Sequence, residues 1–195
     1  MRLLFATTNT NKVREVRPVL AGLPIELLTL QDVSPIEEPE ETGQTFWENA
    51  RLKALFYAAA SGETVVAEDS GLVIPALGGA PGVHSARFLG ANVPYETRFA
   101  EIFKRLAAFG ERRHEASFVT ALCLARGNEI LFEAETAIDG VIASAPAGNH
   151  GFGYDPIFYY PPLKKTTGEL TIEEKIWVSH RARAFRDFAR WFRST

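Results

Sequence analysis

The chain has 195 residues, of which 46% are hydrophobic and 23% are charged. This balance is that of an ordinary globular protein, and it excludes a largely disordered chain, a collagen-like chain and a coiled coil. The formal net charge is −3, so the basic footprint typical of a duplex-binding protein is absent and no nucleic-acid partner is expected. The single cysteine, Cys123, excludes an internal disulfide and a cysteine-based zinc site.

The first apolar run is too short for the core of a secretory signal peptide, because polar residues begin at Thr7. No stretch approaches the roughly 18 apolar residues of a membrane span. We therefore expect a cytoplasmic protein that does not contact a membrane. The chain is long enough to bury a core of its own, so residues 1–195 are expected to form a single domain.

The chain opens with the pattern of a strand, a polar loop and a helix. Residues 3–6 are apolar, and Val13, Val16 and Val19 recur at helical spacing. Between them lie hydroxyl and amide side chains and a lysine: Thr7, Thr8, Asn9, Thr10, Asn11 and Lys12. Free backbone N–H groups at a helix start favour an anion, which suggests a triphosphate cradle. A solvated helix cap explains the same residues, and the P-loop pattern GxxxxGK[ST] is absent.

An acidic tract over residues 32–48 contains no lysine or arginine. At its end, Thr45 and Glu48 form a capping-box pattern, which predicts a helix over residues 46–60 and a structural role for Glu48. The tract is typical of a solvated loop, although its position beside a capped helix also suits one metal ligand. Lys53 on that helix is either solvated or in contact with phosphate.

Two adjacent acids, Glu68 and Asp69, lie between the apolar residues 65–67 and 72–74. Burying two unpaired carboxylates in an apolar strand costs free energy. A hard cation such as Mg²⁺ bound through carboxylates offsets that cost, which predicts a metal site. The alternative is a strand that ends at Ala67 and turns in solvent, for which Asp-Ser-Gly is typical. The residues by themselves leave both interpretations open.

The remaining elements predict an α/β protein. Periodicity and composition indicate strands over residues 25–30, 114–125 and 129–139, helices over residues 95–108 and from 178 onward, and a mobile loop over residues 160–170. Gly127 and Asn128, at the junction of two strands, are typical of a hairpin. Because strands and helices interleave and one strand pair is antiparallel, a mixed sheet is expected.

Two further segments carry residues suited to recognition. The segment GFGYDP, residues 151–156, presents a ring for base stacking and a carboxylate, Asp155, for an N–H edge. A tight turn before a strand is the simpler interpretation of that segment. Lys175, and His180 beside Arg181 at a helix start, are also recognition candidates.

Taken together, these segments resemble the inosine triphosphate pyrophosphatase family, also called Ham1-like proteins. The resemblance runs from about residue 3 to residue 190, with the order and spacing of the motifs in agreement. It is carried by FATTNTNK, EETGQTFWENARLKA, EDSGLVIPALGGAPGVHSARF, GFGYDPIF and EEK followed by SHR. The resemblance implies an elongated mixed β-sheet with flanking helices and two lobes around a nucleotide cleft.

The resemblance also implies an activity, because members of the family hydrolyse ITP, dITP and XTP to the monophosphate and pyrophosphate. They remove non-standard purines from the nucleotide pool, require Mg²⁺ and form homodimers. By position, Asp69 matches the general base and a metal ligand, and Glu40 matches the other metal ligand. The positions that match substrate contacts are Thr7, Thr8, Asn9, Thr10, Asn11, Lys12, Lys53, Ser70, Phe152, Gly153, Tyr154, Asp155, Lys175, His180 and Arg181.

Three residues depart from the family pattern without removing a catalytic group: Thr8 for a usual glycine, Glu68 for an aspartate, and Trp177 for smaller residues. Two rival functions use the same site, namely a purine-nucleotide sensor without hydrolysis and a pyrophosphatase for other modified nucleotides. Retention of Asp69 and Glu40 argues against the sensor. The expected function is a Mg²⁺-dependent nucleoside triphosphate pyrophosphohydrolase, in which donors near Arg181 reject ATP because adenine has an amino group where inosine has an oxygen.

Overall fold

The computed structural model describes residues 1–110 and 113–195. These residues form one seven-stranded sheet in the order β2-β1-β3-β4-β5-β6-β7. The strands are β1 (Arg2–Phe5), β2 (Glu26–Thr29), β3 (Thr64–Val73), β4 (Glu115–Arg126), β5 (Glu129–Ile142), β6 (Phe158–Tyr160) and β7 (Lys165–Thr166). β1 is parallel to β2 and β3, whereas β6 is antiparallel to β5 and β7, so the predicted mixed sheet is confirmed.

Helices accompany the sheet, as the α/β pattern predicts. Within the part of the chain that the structure describes they are α1 (Thr10–Leu20), α2 (Phe46–Ser61), α3 (Tyr95–Ala107), α4 (Ile172–Val178) and α5 (His180–Ser194). None of these helices is long and apolar enough to cross a membrane.

Side chains at the helix ends explain where α1 and α2 begin and stop. Asn9 caps α1 by accepting a hydrogen bond from the amide of Asn11 at 3.0 Å. Thr45 and Glu48 form the predicted capping box of α2, and Gly62 ends that helix at a left-handed φ of 72°. The caps therefore set the first turns of the two helices that carry the predicted phosphate-binding lysines.

Strand β3 runs without a break through the acidic triplet. All residues from Val65 to Asp69 are buried, and the strand continues to Val73. The interpretation of a strand that ends at Ala67 and turns in solvent is therefore wrong. Because side chains alternate along a strand, Glu68 and Asp69 point to opposite faces of the sheet.

The chain divides into two compact units. The first unit comprises Met1–Asp69, Thr120–Thr136 and Ser179–Thr195, and the second comprises Ser70–Val119 and Ala137–Val178. Strands β3, β4 and β5 each change unit part-way along their length. That residues 1–195 act as a single domain stays a prediction.

Each unit has its own apolar core. In the first unit, α1 and α5 pack on β1 and β3 through Leu3, Phe5, Val16, Val66, Phe185 and Phe188. In the second unit, α3 packs against the sheet through Leu72, Phe99, Ile102, Phe118, Ile157 and Phe158. Val66 and Glu68 are two residues apart on β3, so Glu68 lies on the face of the strand that α1 and α5 cover.

The segment predicted as a mobile loop, residues 160–170, is instead structured. It contains β7 and a 3₁₀ turn, Thr167–Glu169, with a capping box between Thr166 and Glu169. Thr166 and Thr167 are buried. A strand of two residues is too short to leave a periodic apolar pattern, which is why the sequence reading missed it.

Candidate active site

On one face of β3, the Glu68 carboxylate lies between two cations. Its Oε1 accepts hydrogen bonds from Lys12 Nζ at 2.8 Å and from Arg181 Nε at 2.9 Å, and Arg181 Nη1 also binds Glu15 Oε2 at 2.8 Å. Burial raises the pKa of Glu68, but the charges of Arg181 and Lys12 outweigh it and hold that pKa well below its usual range. Glu68 is therefore ionised. Its Oε2 has no hydrogen-bond partner among residues 1–110 and 113–195.

On the opposite face, α2 presents two side chains to Asp69. Asn49 Nδ2 donates to Asp69 Oδ2 at 3.0 Å, and Lys53 Nζ lies 3.6 Å from Asp69 Oδ1 and 2.5 Å from Glu41 Oε1. Burial, together with Glu41, raises the pKa of Asp69 more than Lys53 and Asn49 lower it. A buried carboxylate with a raised pKa is suited to take a proton.

The charge of Lys53 is maintained by the same acids. Burial lowers the pKa of Lys53, but Asp69 and Glu41 raise it by more, so the side chain is cationic. The pKa of Lys12 is lowered, because burial and the charges of Arg181 and Lys53 outweigh the opposite effect of Glu68. In the first unit, the two acids at the middle of β3 are therefore each in contact with a lysine from a different helix.

The loop before α1 uses part of its polar side chains to shape its own backbone. Thr7 Oγ1 accepts a hydrogen bond from Asn9 N at 3.1 Å, and Asn9 Oδ1 accepts from Asn11 N at 3.0 Å. Thr8 and Thr10 are exposed beside the start of α1. The helix cap thus explains Thr7 and Asn9, while the exposed hydroxyls lie where a helix N-terminus favours an anion.

In the second unit, residues 151–155 close on a buried carboxylate. Asp155 Oδ2 accepts from Phe152 N at 2.7 Å and from Lys175 Nζ at 2.5 Å, and Asp155 Oδ1 accepts from Thr167 Oγ1 at 2.8 Å. Lys175 Nζ also lies 4.7 Å from the centroid of the Phe152 ring. Both oxygens of Asp155 are engaged within the protein, and this engagement fixes the turn that presents Phe152.

Other residues predicted to contact substrate lie at different depths. Tyr154 is buried, and its hydroxyl donates to the carbonyl oxygen of Ser85 at 2.9 Å. Gly153 has a φ of 65°, which favours glycine. Ser70 is half-buried on β3, and His180 is buried at the first position of α5.

A family model described as the Ham1 family matches residues 3–191 of the chain. The chain belongs to the Ham1 family. The resemblance predicted from the sequence is therefore confirmed.

Curated Ham1 relatives and a solved Ham1 structure are similar to this chain over nearly its full length. The dITP/XTP pyrophosphatase of Exiguobacterium sp. is 46% identical over 186 residues, which is 95% of this chain and 94% of that protein. The dITP/XTP pyrophosphatase of Thermus thermophilus is 44% identical over 186 residues, which is 95% of this chain and 89% of that protein. The structure of a HAM1 protein from Coxiella burnetii has a TM-score of 0.92 at 35% identity and covers 100% of both chains.

The side chains of this Ham1 chain supply only some of the ligands that a hard cation needs. Glu40 is exposed, whereas its neighbour Glu41 contacts Lys53. No group of three or more His, Cys, Asp or Glu side chains among the described residues is arranged to hold a metal ion. Mg²⁺ is usually held by one or two carboxylates together with substrate phosphates, and the unshared Oε2 of Glu68 is a further buried acceptor. The residues therefore suit a cation that phosphates also bind.

Sequence reasoning missed two residues of the candidate site, Glu15 and Asn49. Both are buried, at 2% and 0% exposure. Glu15 follows Lys12 by three residues on α1, and Asn49 precedes Lys53 by four residues on α2. Helical spacing from each predicted lysine therefore places both residues on the same face as that lysine, which is the signal that finds them.

Proposed function

We propose that this Ham1-family protein is a nucleoside triphosphate pyrophosphohydrolase that converts dITP, ITP and XTP to the monophosphate and pyrophosphate. The observation that carries the proposal is the pair of buried carboxylates on β3, Glu68 and Asp69, each in contact with a lysine, Lys12 or Lys53. Relatives at 46% and 44% identity bear the name dITP/XTP pyrophosphatase. The reaction removes non-standard purines from the nucleotide pool.

Asp69 is the proposed general base. Its raised pKa lets it accept a proton from the water that attacks the α-phosphorus. Asn49 donates a hydrogen bond to one of its oxygens, which gives the carboxylate a defined direction, and Lys53 lies 3.6 Å from the other oxygen. Glu68, whose pKa is lowered, stays charged and balances Lys12 and Arg181.

The triphosphate is bound by cations and by the start of α1. Lys12 and Lys53 lie beside the carboxylates. Burial lowers the pKa of Lys12, but negative phosphates favour its charged form as Glu68 does, so both ammonium groups are proposed to offset the charge of the triphosphate. Backbone N–H groups and exposed hydroxyls of residues 7–11 add neutral donors at a helix N-terminus. Lys175, in the second unit, is proposed as a third contact to the nucleotide.

Mg²⁺ is the proposed cofactor, with Asp69 and Glu40 as its protein ligands. When bound with the substrate, the ion neutralises charge that develops on the leaving pyrophosphate. The carboxylate of Glu40 is exposed and available for this role, whereas Lys53 holds its neighbour Glu41.

The nucleoside end is assigned to residues of the predicted recognition set. The Phe152 ring is proposed to stack on the purine, and Asp155 acts by fixing the turn, because both of its oxygens are engaged. Arg181 is proposed to donate to the 6-oxo group, which requires its guanidinium to exchange a carboxylate partner for the base. The remaining proposed contacts are Ser70, Gly153, Tyr154 and His180.

Asp69→Asn tests the proposal. The amide keeps the shape of the carboxylate but cannot accept the proton, so kcat should fall by about 10²–10⁴-fold while nucleotide binding largely survives. Asp187→Asn, which makes the same change on the outer face of α5, should keep the wild-type rate. Pyrophosphate release from dITP is measured for all three proteins. More than a tenth of the wild-type kcat in Asp69→Asn would show that Asp69 is not the base.

The same assay separates the rival functions. A sensor binds dITP or XTP and releases no pyrophosphate at any Mg²⁺ concentration. A pyrophosphatase for other modified nucleotides shows its highest kcat/KM on a substrate outside the dITP, ITP and XTP group. A homodimer, which the family resemblance implies, is tested on the same preparation by its sedimentation mass.

A further inference from the structure

The side chain of Asn49 is completely buried on α2 and uses both ends of its amide. Its Nδ2 donates to Asp69 Oδ2 at 3.0 Å, and its Oδ1 accepts from the backbone N of Gly43 at 2.8 Å. An amide has one donor end and one acceptor end. The N–H of Gly43 requires an acceptor, so Oδ1 faces Gly43 and the donor end must face Asp69. A flipped amide would place two donors together at Gly43 and two acceptors together at Asp69.

The chain around Asn49 is built for this contact. The capping box of Thr45 and Glu48 starts α2 and brings the preceding backbone close to its first turn. A Cβ on residue 43 would lie 2.6 Å from Asn49 Oδ1 and 2.7 Å from Glu48 Cβ. Glycine is therefore needed at position 43 to leave room for the amide.

Asn49 and Lys53 both contact the Asp69 carboxylate, but in different ways. They lie one helical turn apart on α2 and approach different oxygens of the same carboxylate. The Lys53 ammonium is a point charge that can rotate among its donors and that also binds Glu41, so it does not fix a direction. The donated hydrogen bond from the anchored amide does.

We propose that Asn49 is a positioning residue that holds the Asp69 carboxylate in its working orientation, with Gly43 as the anchor of the amide. The inference rests on the proposed function, which assigns the general base to Asp69. It predicts that loss of the Asn49 hydrogen bond lowers kcat and leaves nucleotide affinity nearly intact, because the lysines that bind phosphate are untouched.

Two substitutions separate the two ends of the amide. Asn49→Asp keeps the shape and the acceptor for Gly43 N but places an oxygen against Asp69, whereas Asn49→Ala removes both contacts. Both variants should lose about 10–100-fold in kcat on dITP, with KM changed less than about threefold. If Asn49 served only to anchor the loop at Gly43, Asn49→Asp would keep the wild-type rate, and that result would overturn the inference.

A second background tests whether Asn49 acts through Asp69. In Asp69→Asn, adding Asn49→Ala should cause no further loss of the residual rate, because the group it positions is already gone. Arg51→Ala, on the same helix as Asn49, removes an exposed ion pair with Glu133 of β5 and should keep the wild-type kcat. The stoichiometry of dITP binding to metal-free protein gives the folded fraction by which every rate is divided.

The outcomes are decisive even if Asn49→Asp fails to fold. Asn49→Ala buries no new charge and suits a helix, so that variant and the double variant carry the test. The inference is overturned if Asn49→Ala keeps more than a third of kcat, or if it costs the same factor with and without Asp69. An inactive Asp69→Asn with an active Asn49→Ala refutes the inference alone. A fully active Asp69→Asn refutes the proposed role of Asp69 itself.

Discussion

Glu68 and Asp69 are neighbours in the chain, yet their surroundings move their pKa values in opposite directions. Strand alternation is the cause, because it points Glu68 toward Lys12 and Arg181 and turns Asp69 toward α2. Opposite pKa shifts of two nearby acids separate their chemical roles. Glu68 is suited to remain a fixed charge, and Asp69 is suited to exchange a proton.

We expect Asp69→Asn to stabilise the protein at pH 7 in the absence of metal and nucleotide. The pKa of Asp69 is raised in the folded state. The contribution of this group to the free energy of unfolding is therefore fully present below its unfolded pKa and is lost as the pH rises through its folded pKa. Asparagine does not ionise, so the melting temperature of the Asp69→Asn variant at pH 7 should exceed that of the wild type. Melting curves should converge as the pH falls toward 3.8, the ordinary pKa of the group. A lower melting temperature at pH 7 would contradict the assigned pKa shift.

Lys12→Ala should mainly raise KM for the triphosphate, because its charge meets phosphate in the ground state and in the transition state alike. A charge-assisted hydrogen bond is worth about 1.5–3 kcal/mol, so the increase should be about tenfold or more. Lys104→Ala, on the exposed side of α3, is the matched control. Calorimetric titration with IMP should show nearly unchanged affinity. An equal loss of affinity for IMP and ITP would place Lys12 nearer the α-phosphate or in a structural role.

At the level of elements, Arg181 joins α1, β3 and α5 through carboxylates on two of them. Its guanidinium binds Glu15 on α1 and Glu68 on β3, while the residue itself is only 2% exposed. Each of these buried carboxylates depends on the guanidinium, because a buried charge without a partner destabilises the folded state. The position of Glu68 is therefore coupled to the packing of α1 and α5.

Arg181→Ala should lower the free energy of unfolding by about 3–5 kcal/mol, because it leaves two buried carboxylates without that partner. Arg190→Ala, which removes an exposed ion pair on the same helix, should cost about 0–1 kcal/mol. Urea denaturation measures both. In the folded fraction, the ratio of kcat/KM for ITP and ATP reports on base recognition. A ratio equal to that of the wild type would remove Arg181 from contact with the purine.

For the whole molecule, each of the two units carries one part of the predicted chemistry. The first unit contains the acids and lysines around β3, and the second contains the turn fixed by Asp155 and Lys175. In the second unit, burial is the main cause that raises the pKa of Tyr154 to about 12, so its phenol remains a neutral donor to Ser85. This turn is held by interactions within its own unit.

Removal of divalent metal should abolish pyrophosphate release, and Mg²⁺ should restore it, because a bound cation offsets the negative charge that develops on the leaving pyrophosphate. With Mg²⁺, dITP, ITP and XTP should be hydrolysed faster than dATP, by up to about 10⁴-fold where a donor aimed at the 6-oxo group is left unpaired. Initial rates over the nucleotide panel, with and without EDTA, measure both effects. Full activity in EDTA would refute the metal requirement.

Local patterns were sufficient to predict most elements of this protein. Hydrogen bonds that cap a helix involve residues three or four positions apart, so Thr45 and Glu48 predict the start of α2 and Gly62 predicts its end. Alternation and turn residues likewise located β4, β5 and the junction between them. The motifs that carry the family resemblance are local in the same sense, and the family match over residues 3–191 confirmed it.

The sequence by itself thus determined the element types, the mixed sheet and the family. Only the tertiary structure decided which side chains meet. Arg181 and Glu15 are 166 residues apart in the chain, and Asn49 and Asp69 are 20 apart, so no local spacing reveals either contact. The physical reason is that burial and charge pairing depend on surroundings supplied by distant segments. The same two adjacent acids therefore acquire opposite pKa shifts only once α1, α2 and α5 have packed around β3.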